Sequence, residues 1–166
     1  MGRQADEEAR FIVRTYEASD AEALTELYRH SVLVLGRREY SLEQVEVWAG
    51  LCPEPAELDK LASDGRRRLV ATAADDRPLA FADLEMDGHI AFFYCTPCAA
   101  GTGVAAALYD ALEEIARHAG VTRLYVEASE LARRFFLKRG FRVLTRHDLE
   151  VDGVEIHNYA AEKLLE

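Results

Sequence analysis

The sequence predicts an α/β fold, a mixed sheet of about seven strands with four or five helices on its faces. Three observations carry this. Apolar residues recur at helical spacing over residues 24–35 and again over 104–119. Short β-rich runs broken by turn dipeptides fill residues 68–96. Helix and strand patterns then alternate to the end. At 166 residues, 49% of them apolar, the chain is long enough for a buried core. Residues 10–166 read as a single domain. Residues 1–9 read as a polar, disordered lead-in without an apolar signal core.

Phe11–Tyr16 reads as the first strand. Ser19-Asp-Ala-Glu22 has the form of a capping box, and Leu24, Leu27, Tyr28, Ser31 and Leu35 continue as a helix to about Gly36. A second box, Ser41-Leu-Glu-Gln44, opens another helix, with Tyr40 and Val45 spaced as a hydrophobic staple and Trp48 on the same side. Pro53 and Pro55 interrupt the pattern, and a short helix covers Ala56–Ala62. Strands follow over Arg68–Ala73, Leu79–Met86 and Ile90–Thr96, with turns at Asp75–Pro78 and Asp87–Gly88. The last of these strands is almost entirely apolar, which predicts burial on both faces. Val104–Ala119 is a long amphipathic helix ended by Gly120. Leu124–Ala128 is a strand, Ser129 caps a helix to Lys138, and Phe141–Leu149 and Val154–Ala161 pair about Asp152–Gly153.

Bulk properties exclude several classes of function. A net charge of −10 argues against nucleic acid as a partner. No apolar run approaches the length of a membrane span. Three cysteines are too few for a disulfide scaffold, and the odd count fits a reducing cytoplasm. A zinc site would need Cys52 and a distant histidine to join Cys95 and Cys98, without ligand spacing to support it.

The most informative corner is Tyr94-Cys-Thr-Pro-Cys-Ala-Ala-Gly-Thr-Gly-Val-Ala105, where a strand turns into a helix. Cys95-Thr-Pro-Cys98 has the spacing of a redox dithiol. Extension through Cys98 would part the two Cα atoms by roughly 10 Å at about 3.3 Å per residue, too far for a disulfide. Gly101 and Gly103 are poor residues for a first helical turn. They open the backbone either to a tight turn or to a phosphate on the helix N-terminus. A P-loop would need a lysine here, and a dinucleotide fold would carry its glycines after the first strand.

The run Tyr94–Leu108 resembles the acetyl-coenzyme A motif of the GNAT superfamily of N-acyltransferases, Tyr-Val-x-Pro followed by Gln/Arg-x-x-Gly-x-Gly/Ala. Pro97, Gly103 and Ala105 match it, whereas Ala100 replaces the Gln/Arg. Glu127–Phe141 is similar to the second motif, which ends in Phe/Tyr-x-x-x-Gly-Phe, and Gly153–Lys163 to the closing strand. Tyr40–Ala49 also resembles a stretch found in one bacterial branch of the family.

This resemblance implies a GNAT-like acyl-CoA N-acyltransferase fold and an acetyl-CoA-dependent N-acetyltransferase. The acceptor would be an amine of a small molecule or protein, and no metal is implied. The backbone of Gly101, Thr102, Gly103, Val104, Ala105 and Ala106 would hold the pyrophosphate. Tyr94, Cys95 and Thr96 would flank the pantetheine arm with Ser129, and a strand amide would face the oxyanion. Phe136 occupies the position of the usual acid tyrosine and has no proton to give; Tyr94 or Tyr125 could replace it. Asp83 and Glu85, two apart on one predicted strand face, are candidate bases, as is Glu127. Tyr28, His30, Tyr40 and Trp48 are candidates for the acceptor pocket. Arg66–Arg68, or Arg133, Arg134, Lys138 and Arg139, could meet the coenzyme phosphates. Self-association as a homodimer stays open. A non-catalytic acyl-CoA sensor is the alternative reading, motivated by Ala100 and Phe136. A thioredoxin-like redox protein is the third.

Overall fold

The computed structural model describes residues 11–166. The expected disordered lead-in, residues 1–9, lies outside them. Element order is β1 (Phe11–Thr15), α1 (Ala21–Leu35), α2 (Leu42–Ala49), α3 (Pro55–Leu61), β2 (Arg67–Ala73), β3 (Pro78–Leu84) and β4 (Ile90–Cys95). Then follow α4 (Val104–His118), β5 (Arg123–Ala128), α5 (Glu130–Lys138), β6 (Arg142–Val151) and β7 (Val154–Leu164). The mixed α/β class is as the sequence predicts, with one refinement. The strands form two hydrogen-bonded sheets, β1-β2-β3-β4 and β5-β7-β6. A single parallel bridge, His89 to Tyr125, joins them.

Local signals explain most boundaries. Ser41 and Gln44 do form a capping box: the Gln44 N–H donates to Ser41 Oγ at 3.1 Å, and the Ser41 N–H to Gln44 Oε1 at 2.9 Å. Tyr40 and Val45 are both buried beside it. The Ser19–Glu22 box does not form. Asp20 instead accepts the Glu17 N–H at 2.9 Å and a forked pair of bonds from Arg14 at 2.7 and 2.8 Å. A charge-assisted fork outcompetes a neutral serine cap. Strand β3 ends at Leu84, two residues short of the predicted end. Its register with β4 slips between Asp83 and Leu84, which leaves Glu85 in the turn.

Two cores flank the first sheet. One packs α4 against Leu69, Ala71, Ala80 and Ala82, and continues to Leu124, Val126 and Phe136. The other packs α1, α2 and α3 against Val70 and Phe81, with Phe92 and Tyr94 at its border. Strand alternation sorts the residues between these faces. Strand β4 is only partly buried over Ala91–Cys95, contrary to its apolar sequence. The reason is the gap between the sheets, where β4 has no partner beyond His89.

Candidate active site

The gap between β4 and β5 is the feature that organises the site. The strands run parallel, touch at His89 and Tyr125, and diverge toward Cys95 and Ala128. Gly88 permits the contact: a Cβ there would lie 1.9 Å from the Arg123 carbonyl oxygen, and φ is +96°. The Tyr125 N–H donates to the Gly88 carbonyl at 3.1 Å. Beyond this point a groove of about 470 Å³ opens, bordered by Phe93, Tyr94 and Cys95 on one side and Val126, Glu127 and Ser129 on the other.

The edge of β4 facing the groove carries unpaired backbone groups. The Thr96 N–H donates to Leu79 of β3 at 2.8 Å. Antiparallel pairing alternates, so the N–H groups of Phe93 and Cys95 point away from β3 toward the gap. At the open end, Gly101 (φ +77°) and Gly103 (φ +92°) turn the chain into α4. The amides of Gly101, Gly103, Val104, Ala105 and Ala106 find no acceptor among the described residues. The Val104 side chain is buried in the core, so only its amide is available. Ala100, Gly101 and Ala105 line the groove, Arg38 and Lys138 bring positive charge to it, and Arg134 is paired there with Glu39 at 2.6 Å. Thr102 ties its hydroxyl to the Ala99 carbonyl at 2.5 Å.

Near its closed end the groove meets a second cavity, of about 170 Å³, between α1, α2 and β7. Tyr40, Trp48, Tyr94, Glu127 and Ser129 border both, and Tyr28 lines the smaller one. Tyr28 and Tyr94 pack with ring centroids 4.3 Å apart. Burial raises the Tyr94 pKa. Ser129 also caps α5, accepting from the Ala132 N–H at 3.2 Å. His30 is exposed on α1 and lines neither cavity.

The carboxylates sort themselves. Asp83 is fully buried and grips Arg68 through two bonds of 2.6 and 2.7 Å, with Arg66 at 3.0 Å. Arg68 donates again to the Leu58 carbonyl at 2.8 Å. Asp83 is thereby a structural anion, not a free base. Arg66 and Arg68 are spent on it, and Arg67 and Glu85 border a separate cleft on the α4 side of the sheet. None of the three arginines reaches the glycine loop. Arg133 pairs with Glu130 and Arg139 with Asp110, while Lys138 lines the groove.

Glu127 is the carboxylate that borders both cavities. Its Oε2 lies 2.6 Å from Nε2 of His89, whose Nδ1 is 2.8 Å from Glu85 Oε1. Hydrogen bonds to Glu127 and Glu85 raise the His89 pKa to about 9, against the burial that lowers it. The His89 hydrogen bond in turn lowers the Glu127 pKa. At neutral pH His89 is therefore protonated and bonded to the Glu127 carboxylate. Sequence reading missed His89 because its partners sit four and 38 residues away.

Two aromatic positions also differ from expectation. Phe136 is 1% exposed and packs on Phe93, Tyr109 and Phe141. Its neighbour Phe135 lines the groove instead. Tyr125 stacks on His89 with centroids 4.7 Å apart and donates to Asp87 rather than facing the groove.

The full extension that would separate Cys95 from Cys98 is not present in the fold. Extension stops at Thr96, and Pro97–Ala99 form a 3₁₀ turn. Both thiols are free, and Cys98 contacts Thr96 Oγ1 at 3.2 Å. Burial, with Cys98 nearby, pushes the Cys95 thiol up to about 11, opposite to the shift a nucleophilic thiolate needs. Among the described residues, no group of three or more His, Cys, Asp or Glu side chains is arranged to hold a metal, and no helix is long and apolar enough to cross a membrane.

Comparison with known proteins agrees with this geometry. Residues 37–163 match the acetyltransferase (GNAT) domain. The chain is similar to a crystal structure from Rhodopseudomonas palustris described as a GCN5-related N-acetyltransferase, "Aminotransferase, Class-II". The TM-score is 0.85 at 33% identity, covering 93% of this chain and 95% of that one. It is 24% identical over 147 residues to the Escherichia coli K12 protein named "Uncharacterized N-acetyltransferase YafP", covering 89% of this chain and 91% of the relative. It also shares its fold with the PaiA N-acetyltransferase of Thermoplasma acidophilum, solved in complex with coenzyme A, at a TM-score of 0.75 and 21% identity over 94% of this chain and 99% of that one. The chain belongs to the GNAT acetyltransferase family.

Proposed function

We propose that the protein transfers an acetyl group directly from acetyl-CoA to an amine, and that the two confluent cavities hold donor and acceptor. The observation that carries this reading is the β4–β5 gap, which runs from five unpartnered amides at one end to Glu127 and Tyr94 at the other. The pyrophosphate sits on the amides of Gly101 and residues 103–106, where helix partial charge favours an anion, while the Thr102 N–H is already taken by the Ala99 carbonyl at 3.2 Å. Lys138 supplies further positive charge. The pantetheine arm adds to the β4 edge like a strand. It enters from the glycine end, so Cys95 meets the arm and Phe93, deeper in the gap, faces the thioester oxygen.

The reaction is then one displacement. The amine nitrogen bonds to the thioester carbon, the Phe93 N–H stabilises the oxyanion, and the carbon–sulfur bond breaks. The bound ammonium first loses one proton through water to the solvent and so becomes a nucleophilic amine; Glu127 takes the second, released on attack, directly or through one water. Tyr94, kept protonated by burial, returns a proton to the thiolate. Held as a carboxylate by His89, Glu127 is a weak base but a good partner for an ammonium. Its task is easier once attack has made the N–H acidic.

The test is sequential two-substrate kinetics with acetyl-CoA and an amine panel. We expect thioester loss that depends on the amine, with Glu127→Gln lowering kcat/KM by about 100-fold and Tyr94→Phe lowering kcat by about 10-fold. Acetyl-CoA binding without thioester loss would instead favour the sensor reading that Ala100 motivates.

A further inference from the structure

The smaller cavity has a composition that defines the acceptor more narrowly than "an amine". Four rings, those of Tyr28, Tyr40, Trp48 and Tyr94, wall it together with Leu51 and Ile156. Its volume of about 170 Å³ is close to that of an apolar protein cavity of about 150 Å³ that admits benzene. Arg38, Arg134 and Lys138 border the donor groove, Arg134 paired with Glu39 there at 2.6 Å, whereas no lysine or arginine borders the smaller cavity.

His157 is the one histidine that borders the smaller cavity. Its ring packs on Tyr40, one of the cavity's walls, with centroids 5.3 Å apart. Its Nε2 is held by Glu130 at 2.8 Å. His147, opposite Asn158 on β6, is exposed and borders none of the cavity. Asn158 also borders the cavity, but its Oδ1 is sealed from it, with almost no accessible surface. A carboxylate and four rings suit a desolvated ammonium. A carboxylate on the acceptor would meet Glu127 and no lysine or arginine.

Building on the acetyltransferase reading, we propose that the acceptor is a small monoamine with one apolar ring or short alkyl body and no carboxylate. The cavity binds its ammonium at Glu127 and its body among the rings. Amino acids of the same size are rejected by charge.

The experiment compares 2-phenylethylamine with L-phenylalanine, which differ by one carboxylate. Binding is measured by calorimetry on the protein alone and on the protein saturated with coenzyme A. Turnover with acetyl-CoA is measured separately. We expect the amine to bind at least 50-fold more tightly than the amino acid. Leu51→Arg, which places a cation at the 57% exposed rim position, should narrow that ratio at least fivefold. Equal binding of the pair, tighter binding of phenylalanine, or no binding of the amine to either form overturns the proposal. Selective amine binding without acetyl transfer would leave the proposed pocket standing and remove the acetyltransferase reading instead.

Discussion

Nε2 of His89 lies 2.6 Å from Oε2 of Glu127, across the one point where the two sheets touch. The pair thus closes the groove and places charge at its end. The folded pKa of His89, about 9, lies above its ordinary value of 6.5. Its stabilising contribution is therefore complete below pH 6.5 and is lost as pH rises through 9. We expect His89→Asn to lower stability by about 1–2 kcal/mol at pH 6, after allowance for partial exposure, and by almost nothing above pH 10. Denaturant unfolding across that range checks it. A pH-independent loss would show that the ring acts by packing alone.

Asp83 presents the opposite case, a carboxylate without access. Asp83→Asn leaves Arg68 and Arg66 facing a neutral amide in the core, and breaking a buried pair of this kind costs about 3–5 kcal/mol. The variant should melt earlier yet keep kcat per folded molecule. A large fall in kcat with unchanged stability would return Asp83 to the list of bases.

At Gly103, φ is +92° and a Cβ would meet no protein atom within 4 Å. Substitution by valine strains the backbone by about 1–3 kcal/mol and occupies the space over the free amides. The acetyl-CoA Kd should rise at least about tenfold, or about 1.4 kcal/mol of binding. Gly120→Val, with a similar φ of +77° at the far end of α4, is the control for strain. Equal Kd values for the two variants would count against the cradle.

Phe136 fills the core position where a catalytic tyrosine is expected. Phe136→Tyr buries a hydroxyl among Phe93, Tyr109 and Phe141 and should destabilise by about 1–3 kcal/mol without raising kcat. A rise in kcat would place the ring nearer the thiolate than its packing shows.

The thiols separate by exposure. Cys98 is exposed and Cys52 buried, so iodoacetamide should label Cys98 first. The Cys95→Ser, Cys98→Ser double variant should retain acetyl transfer. Insulin disulfide reduction by the parent protein, absent in that variant, would restore the redox reading.

Several features were legible because they are local. Periodicity marked the helices, Ser41 and Gln44 capped α2, and Gly101 and Gly103 signalled a backbone opened toward a ligand. The capping of α1 was not, since Arg14 takes Asp20 from a neighbouring strand. Even alternation could not sort Asp83 from Glu85, because a register slip intervenes.

By itself, then, the sequence determined the order of elements, the glycine corner and the family resemblance, all of which rest on residues close in the chain. Only the tertiary structure decided which acidic side chain borders the groove. Asp83 is claimed by arginines 15 and 17 residues away, and Glu127 by a histidine 38 residues away. The groove itself is also a tertiary fact. It exists because β4 and β5 meet at one bridge and then part, and no residue in either strand announces that divergence.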